Sequence, residues 1–174
     1  LADIKVAIDG IGIKAAKRWG RLNKIKNITT QGPGNLGIKM KRQFIKTHTE
    51  KNISYRIASP IILIGTDLPS ISNCDLIEAI EILTHNEMVL GPSTDGGYWL
   101  IGLSNKILNK KCIWPFSGIS WGTDKVLNET INLASLNQIK YQLLQTKNDL
   151  DNILDLSPWL DQKSFLLSAL SYQL

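Results

Sequence analysis

Asp3-Ile4-Lys5-Val6-Ala7-Ile8 alternates polar and apolar residues with the period of a strand, and the basic stretch after it, ending near Arg21, has helical spacing. Turn-forming residues follow and end in the cluster Gln31-Gly32-Pro33-Gly34-Asn35, after which a second helical stretch runs from Leu36 to about Thr49. Pro60 to Gly65 is apolar and β-branched between turn residues, which predicts a strand buried on both faces of a parallel sheet. Ser72 is placed to cap a helix reaching about Thr84, with Leu76, Ile80 and Leu83 on its inner face. Glu87 to Leu90 and Tyr98 to Leu103 read as strands joined by the polar turn Pro92 to Gly97. A loop bearing Trp114, Pro115 and Trp121 leads to a helix from about Thr123 to Leu136. A strand from Gln138 to Gln145 follows, then short helical patterns through Leu156 and from about Asp161 to Leu174.

Strands alternating with helices predict an α/β sandwich, and the short connection ahead of Tyr98 predicts one antiparallel member in the sheet. The 174 residues, 43% hydrophobic and 20% charged, suit a single domain that can bury its own core without a disulfide or a structural metal. Cys74 and Cys112 are too few for a disulfide framework and have no partner at metal-ligand spacing, so a reducing, cytoplasmic setting is expected. Apolar runs such as Ile61 to Ile64 are far too short to span a bilayer.

The net charge of +5 is unevenly placed, because the ten Lys and Arg residues from Lys14 to Lys46 are interrupted by no Asp or Glu. Such a stretch attracts an anion or simply forms a solvated helix face, and with aromatic residues only at Trp19 and Phe44 it lacks the interleaving that stacks nucleic-acid bases. Asp9-Gly10-Ile11-Gly12-Ile13-Lys14-Ala15-Ala16 imitates a dinucleotide-binding turn, but the acid that should follow about 20 positions later is missing. No P-loop motif is present.

Asp67, in Gly65-Thr66-Asp67-Leu68-Pro69, is delivered by the carboxyl end of a strand, where ligands bind in open α/β sheets and where a hard divalent ion is well served by a carboxylate. The same residue is equally suited to hydrogen-bonding its own turn ahead of Pro69. In Thr94-Asp95-Gly96-Gly97-Tyr98-Trp99 the paired glycines allow a ligand close to the backbone, and strand alternation should expose one of the two aromatic rings and bury the other. Asp149 and Asp151 form a further carboxylate pair just past a strand, a pattern that also caps helices. His48 and His85 have no partners at catalytic spacing and are expected on solvent-facing helix positions. Nucleophilic catalysis is disfavoured.

Five segments, QGPGNLGIKM from Gln31, GTDLP from Gly65, GPSTDGGYWLIGL from Gly91, WGTD from Trp121 and DLD from Asp149, occur in the order found in one family. From about Asp3 to about Leu156 the chain resembles the glycosyltransferase-like family DUF2064, also known as an arsenosugar-biosynthesis or selenodomain-associated transferase family. The resemblance implies a three-layer, Rossmann-like sheet of the GT-A nucleotide-diphospho-sugar transferase type, mostly parallel, related to the molybdopterin-guanylyl and phospholactate-guanylyl transferases. It implies that Asp67, with Asp149 or Asp151, holds Mg²⁺ or Mn²⁺, and that Asp95, Gly96 and Gly97 form the acceptor-side loop. Gln31, Gly34, Gly37, Lys39, Tyr98, Trp121, Gly122 and Thr123 become candidate substrate-binding residues by the same likeness.

Asn35 and Lys39 stand where the family pattern has an acid and an arginine, and Asn152 where it has threonine. The family's opening strand and Pro-x-x-Gly-x-x-Lys-Thr-Arg-Leu loop have no counterpart, so residues 1–174 are expected to form a single GT-A-like domain incomplete at its N-terminal side. Such a domain should be poorly stable alone, or associated with another copy or with a second polypeptide that supplies the piece. The expected activity is metal-dependent transfer of a sugar from a nucleotide-diphosphate donor to a small-molecule acceptor. The alternatives are nucleotidyl transfer with release of pyrophosphate, and a non-catalytic binding subunit.

Overall fold

The structure, a computed structural model, describes residues 3–53 and 59–148. Two strands, β1 (Val6–Ile8) and β2 (Ile28–Thr30), pair in parallel around the helix α1 (Ile13–Leu22). Ala16 and Gly20 make the buried face of α1. A Cβ on Gly20 would come within 2.5 Å of Ile28, so the small residues let helix and strand approach closely. The polar stretch before α2 thus hides β2, a three-residue Ile-Thr-Thr strand too short to show a period of its own.

Helix α2 (Leu36–Ile53) crosses to β3 (Ile61–Ile64), and α3 (Asn73–His85) leads on to β4 (Met88–Pro92) and β5 (Tyr98–Leu103). After the short helix α4 (Asn105–Leu108), the chain passes through a loop into α5 (Val126–Leu136) and β6 (Tyr141–Leu143). The second sheet has the order β3-β5-β4-β6, with β5 antiparallel to both β3 and β4, and β6 parallel to β4. Three strands therefore point one way, and the single antiparallel member lies between two of them. Among the described residues β3 pairs only with β5, and Ile64 is 39% exposed, so β3 is not the strand enclosed by parallel neighbours that its apolar sequence suggests.

Side chains leave both faces of this sheet and are covered on both, which makes three layers. On one face Met88, Leu90, Ile101 and Leu103 pack with Phe44 of α2 and Ala134 of α5, and Phe44, Trp114 and Phe116 form an aromatic cluster with centroids 5.7–6.3 Å apart. On the other face Val89, Trp99 and Leu100 meet Ala79, Ile82 and Leu83 of α3. Each fully buried Leu or Ile contributes about 2 kcal/mol from removal of its surface from water. The inner stripe of α3 is Leu76, Ala79, Ile82 and Leu83, while Ile80 is 46% exposed. The small Ala79 brings the helix down on the sheet, and its rotation turns the larger Ile80 outward.

The register of β4 against β5 shifts between Gly91, opposite Leu100, and Pro92, opposite Tyr98, so Trp99 is left over as a bulge. Trp99 therefore shares a core with its neighbour Leu100, and Tyr98 enters the other. His48 is buried as well, with Nε2 3.2 Å from Asn109 Oδ1, instead of facing solvent. Among the described residues no helix is long and apolar enough to cross a membrane.

Candidate functional site

Because β3, β4 and β6 run the same way and β5 runs back, the loops after β3, β4 and β6 emerge on one rim. Asp67 lies there, exposed, with Oδ1 folded toward Gly65: a Cβ on that glycine would stand 2.8 Å from it. The turn is fastened to the sheet by Gly65 N donating to Trp99 O at 2.9 Å. Asp95 lies in the β4–β5 turn on the same rim. Its Oδ1 accepts from Ser93 Oγ at 2.5 Å and Gly97 N at 2.8 Å, which shapes the turn and leaves the residue exposed. Gly96 has φ +88°, and a Cβ there would meet the Asp124 backbone at 2.2 Å, so this position tolerates glycine alone. Leu127 N donates to Gly96 O at 2.9 Å, joining the start of α5 to the turn.

The backbone leaving β6 reaches the same rim. Thr94 N donates to Lys147 O at 3.1 Å, and Thr94 Oγ1 to Asn148 Oδ1 at 2.5 Å. Asp149 and Asp151 lie outside the described residues.

A second feature occupies the carboxyl ends of β1 and β2. The Asp9 to Ile11 turn, the Gly32 to Gly34 turn, Thr30 and Lys39 surround an open cavity of about 340 Å³. Lys39 Nζ bonds Asp9 Oδ2 at 2.6 Å, and this hydrogen bond, aided by Gly10 N–H and by the ammonium charge, holds the Asp9 carboxyl below its usual range. Gly34 has φ +115°, and Asn35 Oδ1 caps α2 by accepting from Ile38 N at 3.0 Å. Asparagine thus makes the helix cap that an acid would make, without its charge. Gln31 is used internally: Nε2 donates to Ala7 O at 3.1 Å and its backbone N to Ile8 O at 2.9 Å.

The two features are joined by packing. Gly37, in the first turn of α2, carries no side chain because the Trp121 indole fills that space; a Cβ would lie 2.4 Å from Trp121 Cζ2. Gly122 has φ +83°, and Thr123 Oγ1 donates to Ser120 O at 2.8 Å, closing the turn that brings Asp124 against Gly96. The glycine-rich loop before α2, the Trp121 turn and the Asp95 turn are therefore in contact in series.

Tyr98 departs from expectation. Its ring packs in the α2/α5 core, its hydroxyl is enclosed beside Thr130, and burial pushes the phenol pKa up. Trp99 is only 3% exposed and covers Gly91. Trp99 is thus enclosed and Tyr98 partly buried, because in a three-layer fold alternation sends a side chain from one core to the other and not from core to solvent.

Part of the basic stretch is likewise structural. Arg42 donates to Gln31 O and, at 2.8 Å, to Pro33 O, while Lys46 bonds Thr30 O at 3.4 Å. In the sequence both are anonymous positive charge, and no motif there marks their role as supports of the cavity loop. Arg42 is one helical turn past Lys39 in α2, and that spacing was the available signal.

Among the described residues no three His, Cys, Asp or Glu side chains gather as a group able to hold a metal. The single exposed carboxylate of Asp67 fits a hard ion that takes one or two protein carboxylates and completes its shell with water and phosphate oxygens.

No curated protein matches the sequence. A crystal structure of a "putative nucleotide-diphospho-sugar transferase" from Desulfovibrio desulfuricans G20 superposes on 87% of the chain with a TM-score of 0.69 and 24% identity. The chain spans 62% of that protein's length. The likeness establishes the fold, the mixed three-layer sheet of the GT-A type. The family described as "Uncharacterized protein conserved in bacteria (DUF2064)" matches residues 1–123, and the chain belongs to that family.

Proposed function

We propose that this protein transfers a sugar from a nucleotide-diphosphate donor to a small-molecule acceptor with the help of Mg²⁺ or Mn²⁺. The observation that carries this reading is the exposure of Asp67 at the carboxyl end of β3, on the rim that also carries the Asp95 turn. The description of the Desulfovibrio protein of the same fold as a nucleotide-diphospho-sugar transferase supports it. In this reading Asp67, with Asp149 or Asp151, holds the ion. When bound, the ion neutralises the diphosphate and stabilises it as a leaving group.

The cavity beside Lys39 receives the nucleotide end of the donor, with Lys39 exchanging Asp9 for a phosphate oxygen. Asp95 accepts the proton of the acceptor hydroxyl as its oxygen bonds to the sugar's anomeric carbon and the bond to the diphosphate breaks. Nucleoside diphosphate is released.

Asp67→Asn keeps the shape of the side chain and removes its negative charge and one of its two oxygens. Mn²⁺-dependent binding of a nucleotide sugar, followed by calorimetry, should be lost in this variant and present in the parent. Equal affinity in the two proteins would refute the assignment of Asp67. Incubation with donor and acceptor should release nucleoside diphosphate; release of pyrophosphate from a nucleoside triphosphate would instead identify a nucleotidyl transfer.

A further inference from the structure

Lys147 lies just past β6, outside every motif read from the sequence. Its Nζ stands 3.0 Å from Asp75 Oδ2, donates to Ser70 O at 3.3 Å and sits 5.7 Å from the centroid of the Trp99 ring. The side chain is only 15% exposed, and its carboxylate partner 13%. The backbone of the same residue is fastened elsewhere: Lys147 N donates to Pro92 O at 3.0 Å, and Lys147 O accepts from Thr94 N at 3.1 Å.

One residue thus joins four parts of the rim. Ser70 lies in the Leu68–Ile71 turn that directly follows Asp67, and Asp75 lies in the first turn of α3. Trp99 forms the floor beneath them, while Pro92 and Thr94 flank the turn that carries Asp95. Asp75 is already committed to α3, accepting from Ser72 N at 2.7 Å and Ser72 Oγ at 2.8 Å. The grip of the ammonium on Asp75 therefore passes directly into the start of α3 and the loop preceding it.

A nearly buried ion pair is a weak device for stability alone, since apolar residues of the same volume commonly do as well. What a charged, three-donor group provides here is direction, because its donors aim at one carbonyl on the Asp67 loop and one carboxylate on α3.

We propose that Lys147 is a positioning residue: through Ser70 and Asp75 it holds the Asp67 turn at a set distance from the Asp95 turn. The inference rests on the reading of Asp67 as a cation ligand given above, and it adds a residue that touches neither ion nor substrate.

The test uses the full chain, Lys147→Met and Lys147→Arg, with hydrogen–deuterium exchange and Mn²⁺ calorimetry on each. In Lys147→Met, the amides of residues 65–71 should exchange faster while those of α5 are unchanged. Mn²⁺ affinity should fall about 10- to 100-fold, the loss typical of removing a support behind a ligand. Lys147→Arg, which restores charge and donors, should recover part of both. If the methionine variant does not fold, Lys147→Gln, which keeps a donor and loses the charge, supplies the same comparison.

Unchanged exchange in 65–71, or faster exchange with parental Mn²⁺ affinity, overturns the inference. Failure of the parent itself to bind Mn²⁺ saturably is a separate result. It removes the cation reading of Asp67, and the positioning role falls with it.

Discussion

The indole of Trp121 occupies the place of the missing side chain on Gly37, so the first turn of α2 rests directly on an aromatic ring delivered from a loop more than 80 residues away in sequence. Two motifs that look independent along the chain are one packing unit. Gly37→Ala would force a methyl to within 2.4 Å of a ring held against the core, and overpacking of this kind costs about 1–3 kcal/mol. Urea unfolding should show that loss in the parent background. In a Trp121→Ala background, where the ring is gone, the same substitution should cost about 0.5 kcal/mol or less, as expected for directly coupled sites. Equal costs in the two backgrounds would show that the contact is not made in solution.

Asp95 has two separable duties. One oxygen organises its own turn through Ser93 and Gly97, and the charge is available at the rim. Asp95→Asn retains an acceptor for both hydrogen bonds, so its stability should stay within about 0.5 kcal/mol of the parent. Asp95→Ala should lose about 1 kcal/mol. If the charge serves as the base for the acceptor hydroxyl, Asp95→Asn lowers kcat about 100-fold with little change in KM for the donor. A parental rate in the asparagine variant would restrict Asp95 to shaping the turn.

Asp75 gives the fold a defined acid sensitivity. Burial works against its ionisation, but the hydrogen bonds from Ser72 N, Ser72 Oγ and Lys147, with the Lys147 charge, outweigh that and bring its pKa below the ordinary value of 3.8. A carboxyl whose pKa is lowered on folding contributes stability that is fully present above the unfolded value and disappears as pH falls through the folded one. Asp75→Asn should therefore be less stable than the parent at neutral pH by about 2 kcal/mol, the scale of a charge-assisted hydrogen bond. The gap should close as pH is lowered below about 4 and through the lowered folded-state pKa. Denaturant midpoints across this range provide the check; a gap independent of pH would mean that the Asp75 charge contributes nothing.

Much of the framework was legible because local signals agreed with the final fold. Ser72 heads α3 with a reciprocal capping box to Asp75, and the tight Pro92 to Gly97 turn makes β5 antiparallel. The placement of Asp67 and Asp95 beyond strand ends followed from those elements. The failures share a cause. Alternation predicts one exposed ring of Tyr98 and Trp99, because it cannot report that both faces of the sheet are covered or that a bulge intervenes. His48 looks like a surface residue until Asn109 is brought beneath it. Lys147 carries no signature of its own, since its meaning lies entirely in residues 70, 75, 92 and 94.

By itself the sequence determined the order and type of most elements, the glycines at forced turns, and the family to which the chain belongs, because these depend on periodicity, backbone sterics and ordered motifs that act over a few residues. Only the tertiary structure decided which side chains are spent on holding loops and which remain available at the rim. Burial and hydrogen-bond satisfaction are properties of neighbours far apart in the chain, and they do not exist until the layers have closed on the sheet.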